Sequence, residues 1–209
     1  MNAGVLQDAL VRVTAENSGH EEHRRYLGMS QIAKCPRRLF FEVQKGTPAD
    51  IDDKLRCYKG YQMERDLLAR LGLALDLLGG DWVLTPEVGE ISALGEQFIG
   101  HPDGELVFLD GEEKVLVEIK STLQESLDRI IVKARIPTRH WWQVQCYLRF
   151  GGWERALVIY EARDTGRLYV HPVRRHKQTG ERCERKARIV LDALEVGTPP
   201  RCACGRCRY

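Results

Sequence analysis

The 209-residue sequence has no apolar run that approaches the roughly 18 residues of a membrane span, and its N-terminal residues lack the apolar core of a signal peptide. It contains neither an internal repeat nor a G-x-x-x-x-G-K-[ST] segment, which excludes a repeat array and a P-loop motor. With 43% hydrophobic residues, a disordered tail or a collagen is excluded as well. Basic and acidic side chains nearly balance, 32 against 30, so the total charge indicates no partner. We expect a soluble cytoplasmic protein that makes no membrane contact.

Apolar periodicity divides the chain into helices and short strands. The leucine spacing from Asp52 to Leu78 predicts a helix that ends at Gly79-Gly80. Four β-branched or aromatic runs then predict strands of one sheet, over Trp82–Val88, Phe98–Asp103, Glu105–Leu109 and Val115–Lys120. The remaining predictions are helices over 122–135 and His140–Arg149, a strand pair over Arg155–Glu161 and Leu168–Pro172, and a helix over Glu181–Val196. This order is typical of one α/β (or α+β) core around a mixed sheet.

Both ends of the chain differ from this core, which we place at residues 29–200. Residues 1–28 combine a weak amphipathic helix with a polar, mobile connection, and Ser30 can cap a helix through Arg38 that Pro36 keeps short or broken. Residues 201–209 form a cysteine segment. Its three cysteines, in a chain with an odd total of seven and no signal peptide, indicate metal ligands rather than disulfides. They are Cys202, Cys204 and Cys207, and a fourth soft ligand must come from elsewhere in the chain.

Two predicted strands carry charged side chains that can support catalysis. Glu118 and Lys120 lie on the same face of a strand otherwise made of Val, Leu and Ile, and Asp103 ends the Phe98–Asp103 run. Charged groups at such positions are costly unless they are paired or used. Asp103 and Glu118 can supply oxygen ligands to a hard divalent cation, and Lys120 can position water or stabilise phosphate charge. A solvated surface hairpin remains the alternative for an isolated Asp…Glu-x-Lys pattern.

Three further segments extend this pattern. Asp103, fourteen residues and then Glu118-x-Lys120 resemble the PD-(D/E)XK nuclease core, which implies a restriction-endonuclease-like fold. Gln143-Val-Gln-Cys-Tyr147 resembles the Gln-x-x-x-Tyr motif of its RecB-type branch, and Glu64 after Gly60 fits the position of an upstream acid or histidine. The segment Ser30-Gln-Ile-Ala-Lys-Cys35-Pro-Arg-Arg resembles the opening of iron–sulfur members, which include CRISPR-associated exonucleases (Cas family four) and the AddB nuclease domain.

The resemblance implies a role for each matching residue. Asp103, Glu118 and the backbone carbonyl of Ile119 would bind Mg²⁺ or Mn²⁺, with Glu64 completing the site. Lys120 would position the attacking water. Gln143 and Tyr147, one helical turn apart, would brace the site or contact DNA, although ordinary helix packing is an alternative for both.

In the iron–sulfur members, one N-terminal and three C-terminal cysteines hold a [4Fe–4S] cluster. The resemblance therefore implies that Cys35 joins the three C-terminal cysteines. The C-x-C-x-x-C spacing found here is tighter than the family's pattern, and Zn²⁺ bound by four thiolates is the alternative cofactor. Cys57 or Cys183 could replace one ligand, whereas Cys146 is expected to be a small buried apolar residue.

The leading hypothesis is a metal-dependent exonuclease that acts on DNA with single-stranded ends, in CRISPR spacer acquisition or in phage or host recombination and repair. CRISPR integrase proteins or a helicase are candidate partners, since the chain has no helicase motif of its own. The excess of basic residues between Arg163 and Arg188 predicts DNA contacts, with Arg174, Arg175 and Lys177 as the chosen residues. The alternatives are an idle DNA-binding module and a zinc-ribbon structural protein.

Overall fold

The computed structural model describes residues 3–16, 26–46, 50–86, 88–109, 111–202 and 204–205. The α-helices are α1 (Ala3–Glu16), α2 (Pro36–Lys45), α3 (Ile51–Leu77), α4 (Gln124–Lys133), α5 (Thr138–Phe150) and α6 (Lys177–Val196). The strands are β1 (Leu27–Gly28), β2 (Trp82–Thr85), β3 (Ile91–Ala93), β4 (Phe98–Gly100), β5 (Gly104–Phe108), β6 (Lys114–Thr122), β7 (Arg155–Ala162) and β8 (Leu168–Arg174). Among the described residues, no helix has both the length and the apolar character needed to cross a membrane.

A five-stranded mixed sheet organises the core. Its strand order is β2-β5-β6-β7-β8, in which β6 and β7 run parallel and every other neighbouring pair is antiparallel. The parallel pair needs a crossover connection, and helices α4 and α5 provide it. The predicted mixed α/β core is therefore confirmed.

Both faces of the central strand β6 are covered. Side chains on one face, including Val117 and Ile119, pack against Leu67 and Leu68 of α3. Leu116 on the opposite face lies in a larger cluster with residues of α4, α5 and α6. Five consecutive residues from Val115 to Ile119 are buried as a result, and the single charged one among them is Glu118.

The predicted single sheet is wrong in one respect. Strand β4 (Phe98–Gly100) belongs to a second sheet, in which it lies between β1 and β3. The run ends at Gly100 rather than at Asp103, because Pro102 has no N–H to donate to a strand partner. Strands β1 and β3 have only two and three residues, too few for an apolar alternation to reveal.

The N-terminal predictions are partly corrected. A helix is present at α1, and positions 17–25, where the mobile connection was predicted, lie outside the described residues. Ser30 does not cap a helix, because it lies inside a 3₁₀ turn over Met29–Gln31. Helix α2 begins instead at Pro36, whose fixed backbone angle suits the first helical position, and continues to Lys45.

Candidate active site

The central sheet opens beside the middle of β6. Strand β5 pairs with β6 only as far as Gly104, opposite Val117, whereas β6 continues to Thr122 against β7. Beyond Val117, the backbone of β6 has therefore lost its partner on the β5 side. The Asp103 carboxylate takes that place, and its Oδ2 accepts a hydrogen bond of 2.5 Å from the N–H of Ile119.

Glu118 is fully buried next to this opening. Its Oε1 accepts hydrogen bonds from Nζ of Lys120 and from Nε2 of Gln143, the latter at 2.7 Å. Its Oε2 is buried without a hydrogen-bond partner among the described residues. A carboxylate oxygen in such a position is costly unless a cation or a water binds it.

Gln143 and Tyr147 are brought together with Glu118. Nε2 of Gln143 also donates to the Tyr147 hydroxyl at 3.0 Å, and that hydroxyl donates to the backbone oxygen of His101 at 3.2 Å. This series of hydrogen bonds connects β6, through side chains of α5, to the loop that carries Asp103. The close approach of Tyr147 to this loop requires glycine at position 100, since a Cβ there would lie 2.5 Å from Cε1 of the tyrosine ring.

Glu64 joins the group from helix α3. Burial and then the Asp103 charge raise the pKa of Glu64 to about 7, and Lys120 opposes that shift. Burial and the Asp103 charge likewise raise the pKa of Glu118 to about 8. Burial also raises the pKa of Asp103, against the opposing effects of Lys120 and of the Ile119 hydrogen bond. Three carboxyl groups thus share one ammonium group, so the site favours an additional cation.

Two residues that the sequence did not indicate lie next to Lys120. Tyr160 of β7 lies directly opposite Lys120 of β6 in the strand register. Nδ1 of His140 lies 2.9 Å from the hydroxyl of Tyr160. Nε2 of His140 accepts a hydrogen bond of 3.0 Å from Nε of Arg139. Burial, with smaller contributions from Lys120 and Arg139, lowers the pKa of His140 to about 3, so the ring is neutral at physiological pH. Its position one helical turn before Gln143 was the available signal.

Three of the predicted cluster cysteines meet in space. The sulfur atoms of Cys35, Cys202 and Cys204 all lie within 4.8 Å of one another, and those of Cys202 and Cys204 are 3.5 Å apart. A hydrogen bond of 3.4 Å from Nη1 of Arg37 to the Pro200 carbonyl holds the two chain segments together.

The remaining cysteines lie away from this group or outside the described residues. Cys207 lies outside the described residues. Cys57 is exposed on α3, and Cys183 is buried on α6 with its thiol 3.7 Å from the Trp142 carbonyl oxygen. Cys146 is buried on α5, as expected.

The predicted DNA-contacting residues lie away from the carboxylates. Strand register and spacing place Arg174, on the outer strand β8, about 14 Å from Glu118. Arg175 pairs with Glu154 at 2.5 Å, and Lys177 is exposed at the start of α6. Their role in binding DNA stays a prediction.

The fold is similar to those of solved exonuclease structures. LHK-Exo in complex with dAMP superposes with a TM-score of 0.63 and 17% sequence identity, over 83% of this chain and 89% of that one. A second structure of LHK-Exo, an alkaline exonuclease from Laribacter hongkongensis, gives 0.59 and 18% over the same shares. A protein designated SSO0001 gives 0.58 and 18%, over 97% of this chain and 93% of that one. No protein-family model and no curated protein matches the chain. The chain thus has the mixed α/β fold seen in these structures.

Proposed function

We propose that this protein is a metal-dependent deoxyribonuclease that hydrolyses phosphodiester bonds at DNA ends. The observation that carries the proposal is Oε2 of Glu118, which has no hydrogen-bond partner among the described residues and is buried beside Asp103, Glu64 and Lys120 at the opening of the sheet. The fold likeness to an alkaline exonuclease supports the choice of DNA as the substrate and of exonucleolytic cleavage as the reaction.

The donor atoms suit a hard divalent cation. Asp103, Glu118 and Glu64 contribute carboxylate oxygens, which Mg²⁺ and Mn²⁺ prefer. The N–H and C=O of one strand residue point to the same edge, so the Ile119 carbonyl faces the gap in which its N–H meets Asp103. These four residues would hold the ion, as the sequence motif implies. The ion would activate water and offset negative charge on the phosphate.

The chain's own residues set up the reaction around that position. The Lys120 side chain is 21% exposed, and its ammonium group is held against Glu118. That group can hold the attacking water and stabilise charge that develops on the phosphate oxygens. Gln143 fixes Glu118 Oε1 and thereby leaves Oε2 directed away from α5. His140 and Tyr160 lie beside Lys120. The His140 imidazole is neutral, so it adds no positive charge to that of Lys120.

The thiol cluster forms a second, structural centre in this proposal. Three thiolate donors suit a soft metal, and we propose the [4Fe–4S] cluster that the sequence resemblance implies, with Zn²⁺ as the alternative. Such a centre would tie residue 35 to residue 202 and close a loop of more than one hundred residues, which restricts the unfolded chain. Hydrolysis transfers no electrons, so the centre would stabilise the fold without taking part in the reaction.

Processing of DNA ends takes place in several biological pathways. We propose action on single-stranded ends, either in CRISPR spacer acquisition beside integrase proteins or in phage or host recombination beside a helicase. A partner would have to supply unwinding, because the sequence has no P-loop.

A cleavage assay tests the proposal. Purified protein is incubated with DNA labelled at either end, with Mg²⁺, with Mn²⁺ and without added metal. We expect metal-dependent release of nucleotides by the wild type, and loss of at least a thousandfold in Glu118→Ala. The control Glu195→Ala removes an exposed carboxylate on α6 and should retain full activity. Equal activity in Glu118→Ala and the control would exclude this site as the nuclease centre.

A further inference from the structure

The connection between α4 and α5, residues 134–137, separates two cation-rich cavities. The first, of about 450 Å³, lies between the two helices at the end of β6. Four cationic side chains line it together with three hydroxyl groups, and none of its described lining residues carries a carboxylate. The cationic residues are Arg129, Lys133, Arg135 and Arg139, and the hydroxyl groups belong to Thr122, Ser126 and Thr138.

The second cavity, of about 460 Å³, adjoins the first and shares Arg135, Ile136 and Thr138 with it. It extends to the start of α6, where Arg182 lines it, and no carboxylate is present in the part of its lining that the structure describes. Its aromatic walls are the rings of Trp141, Trp142, His171 and His176.

Most of the cations in these cavities form no ion pair among the described residues. Arg129 pairs with Glu125, whereas Lys133, Arg135 and Arg182 form no ion pair with any described residue. An unneutralised group of this kind attracts a polyanion. By contrast, Arg175 of the sequence-predicted patch is already paired with Glu154.

The first cavity lies next to the candidate active site. Thr122 lies two residues after Lys120 on the same face of β6, about 7 Å further along the strand. His140 lines the same cavity and contacts Tyr160, the cross-strand partner of Lys120. A DNA strand whose scissile phosphate lies at Glu118 would therefore enter this cavity within one or two nucleotides.

The aromatic rings of the second cavity suit unpaired bases. The half-buried Trp141 ring lies 6.2 Å from the His176 ring, and the Lys186 ammonium group covers Trp142 at 4.7 Å. Cations that track phosphates, combined with aromatic faces that stack on bases, are typical of surfaces that bind single strands.

We propose that these two cavities form one binding tract for single-stranded DNA, the α4–α5 tract, defined by Lys133, Arg135, Arg139, Trp141 and Arg182. The proposal rests on the proposed nuclease function and names the path by which its substrate reaches the site. It assigns binding of the DNA strand to this tract instead of to Arg174, Arg175 and Lys177.

The test measures binding of a single-stranded oligonucleotide as a function of salt. Glu118→Gln serves as the cleavage-deficient background, and no Mg²⁺ or Mn²⁺ is added. In this background, Arg135→Ala with Arg182→Ala should weaken binding at least tenfold at low salt. The slope of log affinity against log salt should become shallower by about 1.4, since each lost phosphate contact contributes about 0.7. The matched control, Arg174→Ala with Lys177→Ala, removes the same charge from an exposed surface and should leave affinity and slope nearly unchanged.

Two outcomes would overturn the tract. Equal losses of affinity in the two double variants would show only a general charge effect. A larger loss of affinity in the control would indicate that DNA binds along β8 instead. A single-strand preference further requires that Trp141→Leu weaken single-strand binding at least fivefold while duplex binding stays unchanged. If Trp141→Leu unfolds, the double variants compared on single-stranded and duplex DNA decide the preference. If the wild type cleaves DNA and the tract variants bind it as tightly as their background does, the tract alone is refuted. If the wild type neither binds nor cleaves DNA, the proposed function is refuted.

Discussion

Asp103 accepts a hydrogen bond from the backbone N–H of Ile119 at 2.5 Å, at the point where β5 leaves the side of β6. This contact replaces a missing strand partner with a carboxylate, and it fixes that carboxylate next to Glu118. The opening of the sheet and the acidic site therefore have the same structural origin.

Gly100→Ala should disturb this site without touching a charged residue. A Cβ at position 100 would clash with the Tyr147 ring and with Sδ of Met29, at 2.5 and 2.7 Å. We expect Tyr147 to move and to weaken its bonds to Gln143 and the His101 carbonyl, with a loss of metal affinity or activity of roughly 10- to 100-fold. Gly72→Ala is the control, because a Cβ there would meet no atom of a described residue within 4 Å. Full activity in Gly100→Ala would show that the Tyr147 brace is dispensable.

The stability of the metal-free protein should decrease as pH rises from about 6.5 to 8. The pKa values of Glu64 and Glu118, about 7 and 8, lie above their ordinary value near 4.5. A carboxyl group with a raised pKa stabilises the folded state fully below its unfolded-state pKa. This contribution is lost progressively as pH rises from the unfolded-state to the folded-state pKa, and stability no longer changes above the latter. His140, with its lowered pKa, has the opposite effect, but only below about pH 6.5.

Urea unfolding at several pH values measures this decrease. Glu118→Gln should flatten it, and Mn²⁺ should restore the stability of the wild type at pH 8 to 9. A metal-free wild type whose stability stays constant or increases over this interval would contradict the electrostatic description of the site.

Cys35→Ala should lose the soft metal and unfold at a lower temperature. Its sulfur lies within 4.8 Å of those of Cys202 and Cys204, so its removal takes one ligand from the centre that joins the two chain segments. Cys57→Ala is the control, since Cys57 is exposed on α3. Iron, sulfide and zinc contents of protein prepared without air, together with melting curves, give the answer. Full metal content in Cys35→Ala would mean that the ligand is misassigned, and zinc without iron would identify the alternative cofactor.

Ala134→Gly should stabilise the fold. Ala134 ends helix α4 in the left-handed conformation, with φ of 45°, which costs a residue with a Cβ about 1 kcal/mol. Glycine is the usual residue at this position, so we expect an increase in Tm of roughly 2–4 °C. An unchanged or lower Tm would show that the greater freedom of glycine in the unfolded chain outweighs the relief of strain.

The sequence predicted the local parts of the site better than the fold around it. Alternation along β6 placed Glu118 and Lys120 on one face, and the four-residue spacing placed Gln143 and Tyr147 on one side of α5. The second sheet was not predicted, because strands of two and three residues carry no periodic signal. The α4–α5 tract also escaped prediction, since Thr122, Arg135 and Arg182 are brought together only by tertiary packing.

Anomalous scattering from Mn²⁺ in crystals of the wild-type protein tests the central claim most directly. The predicted result is a manganese peak in contact with Oε2 of Glu118, the Asp103 carboxylate and the Ile119 carbonyl, which is absent from crystals of Glu118→Gln. A wild-type crystal that contains manganese elsewhere, or that leaves the carboxylate group without an anomalous peak at saturating Mn²⁺, would contradict the assignment of this site as a metal-dependent nuclease centre.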